Sequence, residues 1–257
     1  MILTVDVGNS NIVAVLYSDK GERIWDTRHQ TMKKPQKGEY LEFFTNHLRR
    51  STASIQGVMI SCVVPHIEEE IKRAVESVFF NKVVFLDTFT LDDFDVRLDN
   101  PRELGSDLLA TSYAAREFYP QPVIVADLGS ASKLTAVEGN IFHGGVIMQG
   151  VGNMARTLHL TIPHLPEIPL IRPKKVISDD TIGSIQSGII YGSFASVVEL
   201  ARMMEKQIGK PCQRVITGGY AKLFGRDMLE EAGFEYNEFL LSDGLYYVMK
   251  TLNEKES

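Results

Sequence analysis

The chain has few cysteines, no long apolar run and no excess of basic charge, and each shortage removes a class of protein. Its two cysteines, Cys62 and Cys212, stand 150 positions apart without a Cys-x-x-Cys spacing. That excludes a disulfide framework and a zinc knuckle, and it fits a reducing cytoplasm. No stretch approaches the roughly 18 apolar residues of a membrane span. The first hydrophobic run contains Asp6 and has no basic segment before it, unlike a secretory leader. A cytoplasmic protein without a membrane partner is expected. Lysine and arginine number 27 against 33 acidic residues, a net charge of −6, so electrostatics gives no reason to expect nucleic acid as a partner. The one basic stretch, Lys33-Lys34-Pro35-Gln36-Lys37, reads as a solvated loop. The nearest pair of histidines, His159 and His164, flanks a Thr-Ile-Pro that argues against a helical metal pair. Both read as structural or substrate-lining.

What is present is a soluble, globular composition, 44% hydrophobic and 23% charged, in 257 residues. That length allows two domains, each with its own core. Tyr119-Pro120-Gln121-Pro122 interrupts a helical pattern and restarts as strand. Domains of residues 1–118 and 119–257 are therefore expected.

The chain says nearly the same thing twice. Ile2-Leu3-Thr4-Val5-Asp6-Val7-Gly8-Asn9-Ser10 returns as Val123-Ile124-Val125-Ala126-Asp127-Leu128-Gly129-Ser130-Ala131, and β-type runs follow at Ile12–Leu16 and Leu134–Val137. Each unit reads as strand, tight polar turn, strand. Glycine at such a turn lets backbone amides approach an anion, and an Asp at the strand end can hold a divalent cation. One copy alone is equally an ordinary hairpin turn. Two copies, with the later Val215-Ile216-Thr217-Gly218-Gly219 to admit a flat adenosine, have the layout of the actin, Hsp70 and sugar-kinase superfamily. The expected fold is α/β, two ribonuclease-H-like domains with a nucleotide cleft between them and the two hairpins facing each other across it.

Between these landmarks the periodicity predicts helices over about 40–49, 66–79, 103–118, 182–208 and 221–232, and from about 245. Strands are expected at 57–64 and 82–86. Five glycines, Gly139, Gly144, Gly145, Gly150 and Gly152, crowd one short stretch and point to a tight backbone approach beside a ligand. Gly188, Gly192, Ser193, Ala195 and Ser196 give the long helix a small-residue face suited to close helix packing.

The order of motifs resembles the type III pantothenate kinases, also known as the Bvg accessory factor family, over nearly the whole chain. The resemblance rests on Asp6-Val7-Gly8-Asn9-Ser10-Asn11, Ser61-Cys62-Val63-Val64-Pro65 and Asn100-Pro101-x-Glu103-Leu104-Gly105-Ser106-Asp107. It continues through Asp127-x-Gly129-Ser130-Ala131-Ser132, Gly144-Gly145-x-Ile147-x-x-Gly150, Asp180-Thr181 and Thr217-Gly218-Gly219. It implies transfer of the γ-phosphoryl of ATP to the primary hydroxyl of pantothenate, giving 4'-phosphopantothenate on the way to coenzyme A. It makes Asp107 the catalytic base. Asp6, Val7, Gly8, Asn9, Ser10, Asn11, Ile12 and Val13 become the first nucleotide hairpin, with Asp6 at Mg²⁺. Gly129, Ser130 and Ser132 then serve the phosphates, and Thr217, Gly218 and Gly219 the adenosine. Gly105, Ser106, Asp107, Leu108 and Thr181 line the pantothenate site, and Asp127 holds a monovalent cation, K⁺ or NH₄⁺. The family is dimeric, so a homodimer is implied.

Three ligand-facing positions depart from the family pattern. Its Gly-Ala-Asp-Arg is Gly105-Ser106-Asp107-Leu108 here, and leucine cannot offer a carboxylate the cationic fork of arginine. Its Gly-Thr-Ala-Thr-Thr is Gly129-Ser130-Ala131-Ser132-Lys133, which keeps the hydroxyls and adds a long cation. That lysine either neutralises phosphate charge or obstructs the site. A Pro-Gly of the family is Gln149-Gly150. Two alternatives therefore stand beside the pantothenate kinase: a silent or weakened paralogue that binds nucleotide or a metabolite, and a kinase for another acceptor.

Overall fold

Two nearly uninterrupted apolar runs, β1 (Ile2–Val7) and β7 (Val123–Leu128), form the central strands of two sheets, with their flanking strands placed in the same way. The computed structural model describes residues 1–32, 35, 38–48, 55–79 and 82–256, so the lysines of the expected basic loop, Lys33, Lys34 and Lys37, lie outside the described residues. In the first sheet β1 pairs antiparallel with β2 (Asn11–Tyr17), and β2 with β3 (Arg23–Gln30). On its other side β1 runs parallel to β4 (Gly57–Cys62), which is parallel to β5 (Lys82–Phe85). The second sheet repeats this with β8 (Ala131–Glu138), β9 (Ile141–Gln149), β10 (Gln213–Thr217) and β11 (Phe234–Tyr236). The orders β3-β2-β1-β4-β5 and β9-β8-β7-β10-β11 are the same, and the two-residue β6 (Asp95–Val96) is added at the β9 edge. The duplication thus extends to three antiparallel strands per copy, one more than the sequence suggests. β3 escapes notice because an edge strand with one open face carries little apolar signal and it holds no fully buried residue, and β9 because its adjacent Gly144 and Gly145 break the strand pattern.

The helices follow each sheet in the same sequence. α1 (Glu39–Leu48) comes after β3, and α4 (Val151–Thr161) with α5 (Thr181–Ile208) after β9. α2 (Pro65–Val78) connects β4 to β5, and α6 (Gly225–Glu231) connects β10 to β11. α3 (Ser106–Phe118) and α7 (Leu240–Glu256) come last in each series. Pro65 opens α2, where its missing N–H costs nothing, and Ile67, Ile71, Ala74 and Val75 then fall on one buried face. They join Leu3, Val5, Val7, Val58 and Ile60 in the first core. The second core gathers Ile124, Ala126, Leu128, Leu134 and Ile216 of the sheet with Ile190, Val197 and Ala201 of α5. Side chains alternate across a strand. Because Ala126 and Leu128 face this core, Asp127 projects from the opposite face of β7. Among the described residues no helix is long and apolar enough to cross a membrane.

The chain divides into two units: Met1–Phe94 with Leu98–Glu117 and Phe239–Ser257, and Asp95–Arg97 with Phe118–Glu238. A single cut after residue 118 therefore misplaces the last helix. α7 belongs to the first unit because its apolar face fits there. Met249 lies where a side chain on Gly57 would stand, Gly244 meets the backbone of Ala110, and Tyr246 stacks on Tyr17 with ring centroids 4.8 Å apart. Tyr17 also donates its hydroxyl to Asp243 at 2.7 Å. Residues 240–244 are helical too, so the helix starts earlier than expected.

Candidate functional site

In the first hairpin Asp6 occupies the penultimate position of β1, opposite Val13 on β2 and Ser61 on β4. The turn closes through the Gly8 N–H, which donates to the Asn11 carbonyl at 3.0 Å. It is also held from outside. Thr31, the residue after β3, donates its N–H to the Ser10 carbonyl at 3.0 Å and its hydroxyl to the Gly8 carbonyl at 2.6 Å. Asn9 and Ser10 are exposed at the tip. Val7 and Ile12 of the expected nucleotide hairpin have no exposed surface and pack in the first core.

Asp107 reaches this region through its neighbour. Ser106 is buried at the start of α3, with its hydroxyl 3.0 Å from that of Ser61, and it accepts the Cys62 N–H at 3.0 Å. Ser61 is the register partner of Asp6, so one serine ties the N-terminus of α3 to the strand beside the first hairpin. Ser106 is therefore a tether between α3 and β4. Asp107 is half-buried, and its Oδ1 accepts the Leu108 N–H at 2.8 Å. Gly105 is glycine for a local reason: a Cβ there would stand 2.7 Å from Asp107 Oδ1. Leu108 contributes its amide to Asp107, and its side chain carries no charge.

The second hairpin repeats the first with one residue fewer in the turn, closed by Gly129 N–H to the Ala131 carbonyl at 3.0 Å. Asp127 is directly opposite Lys133, on the same face of the sheet. Lys133 Nζ lies 2.9 Å from Asp127 Oδ2, and the two side chains are only 13% and 12% exposed. No sequence spacing announces this pair, since it depends on a register that the turn length sets. Ser132, expected at the phosphates, faces the other way and is 1% exposed. Ser130 stays half-buried in the turn, where its carbonyl accepts Asn153 Nδ2–H at 2.8 Å.

The crowded glycines serve this hairpin by packing chain on chain. A Cβ on Gly150 would stand 2.3 Å from the Ser130 carbonyl oxygen, and one on Gly145 2.3 Å from that of Leu134. Gly218 has φ +91° and meets the backbone of Leu128, whose carbonyl accepts the Tyr220 N–H at 3.1 Å. The close approach expected beside a ligand is thus an approach to the protein's own strands. Gly219 differs, because a Cβ there would meet nothing within 4 Å. Thr217 pairs with Asp127 across β7 and β10.

Thr181, in the second unit, is exposed at the first turn of α5, which Asp180 caps by accepting the Gly183 N–H at 2.8 Å. It borders a groove of about 670 Å³ whose apolar wall is Leu158, Leu165, Ile185 and Ile189 and whose polar rim includes Ser178, Asp179 and Ser184. His159 Nδ1–H donates to the Leu165 carbonyl at 2.9 Å, a structural contact near that groove. Both cysteines are free, and burial pushes the Cys62 and Cys212 thiols up to about 11. Neither is a ready nucleophile at neutral pH.

The start of α3, with Asp107, is thus tied to one Asp-x-Gly hairpin, and a second such hairpin stands in the same topology. The family model for type III pantothenate kinase matches residues 2–203. A curated relative from Halalkalibacterium halodurans named type III pantothenate kinase is 31% identical over 254 residues, covering 97% of this chain and 99% of its own. Among solved structures, a Baf family transcriptional activator from Campylobacter jejuni matches with a TM-score of 0.62 at 20% identity, covering 98% of this chain and 99% of the other. A ROK family glucokinase from Streptomyces griseus, solved with glucose and AMPPNP, matches at 0.53 and 14% identity over 99% and 100% of the two chains. The structural likenesses show the fold alone, an α/β fold in which the two sheets repeat one strand order. The sequence matches show more: the chain belongs to the type III pantothenate kinase family.

Proposed function

We propose that the chain transfers the γ-phosphoryl group of ATP to the primary hydroxyl of pantothenate, with Asp107 taking the hydroxyl proton. The observation that carries this reading is the Ser61–Ser106 contact, which fixes a carboxylate one residue from the strand beside the Asp6 hairpin. Phosphoryl transfer asks mainly for positioning and charge stabilisation, with one base to accept the proton. In the first unit the exposed tip residues Asn9 and Ser10 serve the phosphates, while Gly8 closes the turn beneath them. Among the described residues no cluster of three or more His, Cys, Asp and Glu side chains gathers to hold a metal. Asp6 alone fits the usual manner of Mg²⁺ at such sites, one carboxylate completed by phosphate oxygens and water. Mg²⁺–ATP supplies the transferred group and neutralises its charge. The open space at Gly219 admits the adenosine, and Ser130 faces the phosphates.

The groove beside Thr181 takes the acceptor. Its apolar wall suits the gem-dimethyl body of pantothenate, and its serine and threonine hydroxyls suit the hydroxyl and amide groups. A homodimer belongs to the same reading. Gly188, Gly192, Ala195 and Ser196 leave an exposed small-residue face along α5, and Ile171, Val176, Ile177 and Leu160 are each more than 60% exposed nearby in sequence. A cytoplasmic location fits two thiols left unpaired; cell fractionation tests it.

Three outcomes are expected. Asp107→Asn removes the proton acceptor while keeping shape, so ADP release should fall by about a hundredfold or more with Mg²⁺–ATP affinity nearly unchanged; equal loss of ATP binding would show that Asp107 serves the nucleotide instead. Leu108→Arg should lower the pantothenate KM by roughly tenfold or more, the value of one charged hydrogen bond to a carboxylate. No change in KM would favour an acceptor without a carboxylate. Light scattering at micromolar concentration should give twice the chain mass, and a monomer throughout would remove the dimer from the account.

A further inference from the structure

We propose that Lys133 is a built-in replacement for the monovalent cation, so that this chain needs neither K⁺ nor NH₄⁺ for nucleotide binding or phosphotransfer. The inference rests on the ATP-dependent reading above and concerns the second hairpin of that same site. The residues at Asp127 do not fit a bound monovalent cation, because an ammonium group already stands there: Lys133 Nζ is 2.9 Å from Asp127 Oδ2.

Three features make the arrangement more than a surface ion pair. First, the geometry is dictated by the sheet. Asp127 and Lys133 are register partners on adjacent antiparallel strands, so their side chains leave the same face from directly opposite positions. Second, the pair is enclosed, 12% and 13% exposed, where exchange with solvent ions is hindered and Coulomb forces act through little water. A second cation entering beside the ammonium would meet like-charge repulsion at hydrogen-bond range. Third, the first hairpin has no such device. The position opposite Asp6 is Val13, which brings no charge, whereas the position opposite Asp127 is Lys133.

The chemistry of the group suits the task. A lysine ammonium has the charge of K⁺ and three N–H donors, enough to serve a carboxylate and a phosphate oxygen together. Unlike a free ion it is present at fixed stoichiometry. Its long stem spans the strand spacing, and the turn one residue shorter than in the first hairpin sets the register that delivers it.

The test measures Mg²⁺–ATP-analogue affinity by calorimetry and pantothenate-dependent ADP release, each in choline, potassium and ammonium chloride at matched ionic strength. The wild type should give the same affinity and the same rate in all three, within about a factor of two, the spread that ionic strength leaves. Lys133→Thr, which restores a small neutral side chain, should lose roughly tenfold or more in choline, the value of one charge-assisted hydrogen bond, and regain it in potassium. Lys133→Arg keeps a cation and should remain insensitive to potassium. A wild type that binds nucleotide or turns over only with K⁺ overturns the inference while leaving the kinase reading intact. Absence of ADP release in every salt overturns the kinase reading, and the affinity arm still decides the inference. If Lys133→Thr does not fold, the wild-type arms decide alone.

Discussion

The site depends on how a central strand ends. In each sheet an apolar strand closes in Asp-x-Gly, and the turn that follows is fastened by the residue that comes directly after the third strand. In the first copy Thr31 bonds to Gly8 and Ser10; in the second Gly150 presses on Ser130, with Asn153 bonding to the same carbonyl. Turns this short would otherwise sample many conformations, and holding their carbonyls inward leaves the amide side for an anion. The start of α3 is then referenced to the same frame through Ser106 and Ser61, so the first hairpin and Asp107 are located by one sheet.

Much of this was legible in the sequence because it rests on local patterns. The two hairpins, the helix ending at Phe118, the long helix after Asp180 and the strand at Val215 are each marked by a period or a turn residue. What was not legible depends on long-range register. The third strands β3 and β9 lack apolar alternation. α7 reads as the end of the second copy, yet its buried side chains match the first sheet. The glycine cluster signals close approach, but whether a glycine meets its own chain or open space depends on the neighbours that the fold supplies, as Gly150 and Gly219 show. The Ser106 tether was hidden for the same reason, since its partners lie about 45 positions earlier.

Asp127 and Lys133 illustrate how a motif position changes meaning in context. Read along the chain, lysine in a phosphate hairpin either assists or obstructs. Read across the strands it pairs with the aspartate opposite, and a departure from the family pattern becomes an internal cation. Leu108 brings no charge, and its amide supports Asp107. On the proposed reading the two departures act on different ligands, one on the nucleotide side and one on the acceptor.

The most direct test of the account is ADP release by the wild-type chain with Mg²⁺–ATP, with and without pantothenate, and with the product identified by mass. The account predicts release that depends on pantothenate and a product heavier by one phosphoryl group. Tight nucleotide binding without any pantothenate-dependent release would contradict it.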